Sequence, residues 1–77
     1  MHKRIVEVLE VFFEKSPYAE NAEVYVQQTN TDGFWKMVVR FEKAEMAGYL
    51  KSTVLAIGHG MGEGLDVRTE GHFLQIS

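Results

Sequence analysis

Between residues 34 and 42 the chain alternates without a break. Trp35, Met37, Val39 and Phe41 form one wholly apolar face, and Phe34, Lys36, Val38, Arg40 and Glu42 form the other. A period of two is the signature of a strand with one side against a core. Residues 23–29 repeat the pattern, with Val24, Val26 and Gln28 on one side and Glu23, Tyr25, Gln27 and Thr29 on the other. Asn30-Thr31-Asp32-Gly33 lies between them and supplies a turn, with a glycine free to take a positive φ. The two runs therefore predict a β-hairpin. Its apolar face has to be covered by another layer.

The flanking segments supply that layer. Over residues 3–15, Ile5, Val8, Leu9 and Phe12 follow the i, i+3, i+4, i+7 spacing of an amphipathic helix, with Glu7, Glu10 and Glu14 opposite. Val6, Val11 and Phe13 widen the apolar arc to about 220°, roughly twice what one sheet face needs. Pro17 ends the helix, because the residue before a proline avoids the α region. Residues 18–22 connect it to the hairpin. A second helix is predicted over 44–58, with Met46, Ala47, Leu50, Val54 and Ile57 as its buried stripe and Gly58 or Gly60 as its C-cap. Leu65, Val67 and Thr69 then alternate with Asp66, Arg68 and Glu70 as a third strand. Glu70-Gly71 marks either a turn into a fourth strand, 72–76, or a bulge in one longer strand. The order α-β-β-α-β-(β) predicts an α+β two-layer sandwich: a small antiparallel sheet with two helices on one face.

At 77 residues the chain reads as a single domain. A chain this size buries only about 60 % of its unfolded surface, so a good core or oligomerisation has to stabilise it. It has no cysteine, which excludes disulfides, thiolate metal sites and cysteine nucleophiles. No apolar run approaches a membrane span of about 20 residues, and acidic residues interrupt the segment after His2-Lys3-Arg4 where a signal peptide would need its apolar region. The expectation is a cytoplasmic protein.

Four features bear on function. The first is the glycine-rich run Gly58-His59-Gly60-Met61-Gly62-Glu63-Gly64. Phosphate loops use such backbone freedom, but a dinucleotide fingerprint leaves a strand and enters a helix, whereas this run leaves a helix and enters a strand. The helix end facing it carries partial negative charge, which repels phosphate. The run reads as a cap followed by a hinge.

The second is a metal or acid–base reading of His59, Glu63, Asp66 and His72, which fall within one short stretch but at no regular ligand spacing. No cofactor is expected. The third is the sheet face turned away from the helices. There Tyr25, Phe34, Lys36, Arg40 and Arg68 interleave aromatic and basic side chains as single-stranded nucleic-acid binders do. Glu23, Glu42, Asp66 and Glu70 on that face, and a net charge of −3, oppose it.

The fourth is surplus apolar surface: Val6, Val11, Phe13, Val38 and Leu55 exceed what one core contact requires. No serine stands in a nucleophile motif. The leading expectation is a non-enzymatic protein-binding or adaptor module, as a homodimer or with another protein. Nucleic-acid binding comes second, and a small metal protein or enzyme third.

Overall fold

The computed structural model describes residues 1–29 and 33–77, so Asn30, Thr31 and Asp32 of the predicted turn lie outside the described residues. Helix α1 (Lys3–Lys15) leads through a single 3-10 turn (Pro17–Ala19) to β1 (Glu23–Gln28) and β2 (Trp35–Arg40). Helix α2 (Ala44–Gly60), β3 (Val67–Glu70) and β4 (Phe73–Ile76) follow. The strands form one antiparallel sheet in the order β1-β2-β4-β3. Two helix-plus-hairpin units thus meet along β2 and β4. The expected α+β sandwich is the observed architecture; of residues 65–76, Val67 to Ile76 form a hairpin rather than one strand, and Leu65 lies before it.

The register places Val24 and Val26 opposite Val39 and Met37, and these opposite Leu74 and Ile76, all on the helix-facing side. Met37, Val39, Phe41, Leu74 and Ile76 are buried against Ile5, Val6, Leu9 and Phe13 of α1 and Ala47, Leu50 and Val54 of α2, in one continuous core. Phe13 meets Phe41 edge to face at 6.1 Å. The β2–β4 ladder runs one step past the strands: the Phe41 N–H donates to the His72 carbonyl at 2.9 Å, and the His72 ring Nδ1 lies 3.1 Å from the Phe41 carbonyl. Gly71, at φ +56, occupies the first central position of the β3–β4 turn, where a two-residue hairpin loop favours glycine.

Helix α1 is rotated from its expected setting. Val6 and Phe13, read as surplus, are core residues, while Val8, read as core, is 40 % exposed. The seven apolar residues of this helix surround so much of it that their spacing alone does not choose the buried side. The side that carries Ile5, Val6, Leu9 and Phe13 is the buried one, with Phe13 seated on Phe41.

The glycine-rich run also differs from its expected form. Its first three residues are the last turn of α2, and neither Gly58 nor Gly60 is the cap. Met61 is the C-cap, and Gly62 follows it at φ +72. The Glu63 N–H donates to the Gly58 carbonyl at 2.8 Å and the Gly62 N–H to the His59 carbonyl at 3.1 Å. This pair of bonds is a Schellman motif with Gly62 in the left-handed position. Gly58 is buried because Leu65 folds back onto it: a Cβ there would stand 2.5 Å and 2.7 Å from Leu65 Cδ1 and Cγ.

The glycines of α2 and its cap are therefore not equivalent. Gly62→Ala is expected to cost about 1 kcal/mol, since alanine is strained at positive φ. Gly48→Ala, mid-helix with nothing within 4 Å of the new methyl, is expected to stabilise by about 0.5–1 kcal/mol. Thermal melts of the two variants, shifted in opposite directions, would check this pair.

Candidate functional site

A shallow, mainly apolar groove lies between the two helices, away from the sheet. Three steps of local structure build it. The Ser16 N–H closes α1 on the Phe12 carbonyl at 2.9 Å. The Ser16 hydroxyl then accepts the Tyr18 N–H at 3.3 Å, capping the short turn that Pro17 opens. That turn swings the Tyr18 ring against Tyr49 of α2, with centroids 5.5 Å apart. The result is a groove of about 450 Å³ lined by Val11, Phe12, Tyr18, Tyr49, Leu50 and Thr53, with Lys15, Ser16 and Pro17 at its margin. Tyr18, Tyr49 and Val11 are 55 %, 59 % and 48 % exposed, so large apolar and aromatic surface faces solvent here. Val8 stands one turn before Val11 on the same flank of α1.

The five residues read as surplus apolar surface do not form one patch. Val11 lines the groove, while Val6 and Phe13 are in the core. Leu55 is exposed on the flank of α2 turned away from Tyr49, and Val38 is half-buried on the far side of the sheet. Tyr18 and Tyr49, which shape the groove, were missed by sequence reasoning. Their encounter depends on the Ser16-Pro17 turn and joins distant parts of the chain, so only the Ser-Pro step pointed to it.

The outer sheet face is open, with no described element over it. Tyr25, Val38, Gln75 and Arg68 form one row across all four strands. Glu23, Arg40, Phe73 and Glu70 form the next, and Gln27 and Lys36 begin a third. Carboxylates engage two of its cations. Arg40 reaches Glu23 at 3.8 Å, and Arg68 meets Asp66 through ion-pair and hydrogen-bond contacts at 3.1 and 3.3 Å. The Tyr25 hydroxyl also donates to Glu23, and that hydrogen bond, reinforced by the carboxylate's charge, raises the phenol above its usual pKa. Phe34 precedes β2 and packs edge to face on His2, with centroids 4.9 Å apart. The five aromatic and basic residues thus do not make a continuous cationic track.

The residues of the metal reading are dispersed. His59 lies in the last turn of α2, and Glu63 follows the cap. Asp66 pairs with Ser77 at one end of β3, while His72 lies beyond the other end, about 13 Å of extended chain away. Among the described residues no three histidine or acidic side chains converge as a metal site requires, and no helix is long and apolar enough to cross a membrane. Compared with protein-family models, with curated proteins and with solved structures, the chain matches none.

Proposed function

We propose that this chain is a non-enzymatic protein-binding module of the cytoplasm, which holds apolar side chains of a partner protein in the groove between α1 and α2. The observation that carries the reading is the groove itself: two exposed tyrosines in contact across an opening lined by Val11, Phe12 and Leu50. Its volume is within the roughly 300–1,000 Å³ of sites that take small ligands or side chains. Its composition favours tyrosine and aliphatic anchors over charge, as binding hot spots do. No carboxylate, histidine or cysteine lines it; its polar side chains are Lys15 and the hydroxyls of Ser16, Tyr18, Tyr49 and Thr53. The dispersed histidines, and the carboxylates beside Arg40 and Arg68, give the alternatives less support.

The test is selection of short random peptides against the full chain, followed by affinity measurements on variants. Selected peptides should carry paired apolar residues. Val11→Asp should weaken them about tenfold or more, while Lys36→Ala with Arg40→Ala should leave them unchanged. Peptides indifferent to Val11→Asp would defeat the reading. Salt-dependent binding of single-stranded RNA, lost in the Lys36/Arg40 double variant, would move the function to the outer sheet face.

A further inference from the structure

The sheet has two free edges, and they are built differently. At one edge, β3 is four residues long and carries Arg68 and Glu70. A short, charged edge is the usual protection against pairing with another chain. At the other, β1 is six residues, Glu23-Val24-Tyr25-Val26-Gln27-Gln28, with no lysine, no proline and no charge after its first residue.

The hydrogen-bond phase shows which groups that edge offers. The Thr29 N–H donates to the Phe34 carbonyl at 2.7 Å. Bonded pairs alternate along an antiparallel ladder, so Gln27, Tyr25 and Glu23 turn their backbone groups inward to β2 in the same register. Val24, Val26 and Gln28 therefore present N–H and C=O groups outward. The phase of β2 agrees, since Trp35 and Phe41 bond on the opposite side, to Met1 and His72.

We infer that a second copy of this chain adds to the sheet along β1, antiparallel about a two-fold axis through Val26, giving a continuous eight-stranded sheet. The occupant is a second copy because the edge complements itself in that register. Val26 faces Val26 of the second copy, and Val24 faces Gln28 on each side, so all three outward residues exchange paired backbone bonds. Tyr25 lies opposite Gln27, and Glu23 lies opposite Thr29. The single carboxylate of each strand thus falls at opposite ends of the interface, and no like charges oppose each other. Val24, 36 % exposed, and the half-buried Val26 gain cover. A closed two-fold pair also uses up both β1 edges, leaving only the charged β3 edges outermost. This pairing is independent of the groove.

The experiment is sedimentation of the full chain from micromolar to millimolar concentration, with amide exchange read by NMR on the same samples. The expected result is twice the 8.8 kDa chain mass, with the Val24, Val26 and Gln28 amides protected in the dimer and exposed on dilution. Within one copy these amides have no acceptor among the described residues. Val24→Lys, an inward-pointing charge at the edge, should raise the dimer dissociation constant about tenfold or more. Thr69→Lys on β3 and Val11→Asp in the groove should leave it unchanged. Fluorescence of the sole tryptophan, Trp35, would confirm that each variant folds. A monomer at millimolar concentration would overturn the inference. So would a dimer in which these three amides exchange freely, or one that Val24→Lys leaves intact.

Discussion

Phe41→Ala is expected to lower the stability of this chain by about 3–5 kcal/mol, the range for emptying a buried aromatic site. At 1 % exposure Phe41 is the largest fully buried side chain among the described residues. It follows β2, touches Phe13 of α1, and its backbone holds the tip of the β3–β4 hairpin through His72. A single substitution there loosens the contact that sets the rotation of α1. A protein of this length has a total stability of about 4–12 kcal/mol, so the variant should lose about a quarter of it or more. Urea titration followed by Trp35 fluorescence would read this as a large drop in midpoint at nearly constant slope. A loss below about 1 kcal/mol would mean that the helices repack freely and that the Phe13–Phe41 contact does not fix α1.

The second large effect is a reversal of sign. Replacing a helical glycine by alanine ordinarily stabilises by about 0.5–1 kcal/mol. At Gly58 the same change is expected to cost about 1–3 kcal/mol, because the new methyl overlaps Leu65. The Leu65 Cγ moves only with χ1 or with the backbone, so relief costs the packing of the half-buried Leu65. In a Leu65→Ala background the overlap is gone, and the remaining neighbour, the Glu63 carbonyl oxygen at 3.4 Å, allows the methyl to fit once it gives slightly. Gly58→Ala should then become neutral or stabilising. A double-mutant cycle on Gly58 and Leu65 measures this coupling directly. Equal effects of Gly58→Ala in both backgrounds would show that Leu65 does not close over the glycine.

These two positions also mark how far the sequence could be read. The hairpin face Trp35, Met37, Val39 and Phe41 was legible because alternation leaves only two settings, and one of them is entirely apolar. The stripe of α2 was legible in its centre: of Met46, Ala47, Leu50, Val54 and Ile57, the middle three are buried, while Met46 and Ile57 are half-buried at the margin of the core. Helix α1 was not, since apolar residues at 5, 6, 8, 9, 11, 12 and 13 allow several rotations. Phe41, a residue of another element, selects among them. The glycine-rich run misled in a different way. Composition spread its conformational freedom over four glycines, whereas the chain takes a positive φ at Gly62 alone among those four and uses Gly58 for close packing. That use depends on Leu65 returning over the helix, which helix propensity does not encode. The groove was the least legible feature, because it exists only where the Ser16-Pro17 turn brings Tyr18 to Tyr49.

The strand order has a consequence in chain entropy. Each hairpin pairs residues close in sequence, and each helix packs mainly on its own hairpin, so most contacts close short loops. The seam between β2 and β4 is the exception, joining strands with the whole of α2 and β3 between them. Closing a loop of that length costs roughly 3 kcal/mol before any contact across it offsets the loss. Neither half alone buries Met37, Val39, Leu74 and Ile76 together. The cooperativity of the whole chain therefore rests on this seam, its four register pairs with the Phe41–His72 bonds beyond them, and on the core that the two halves share.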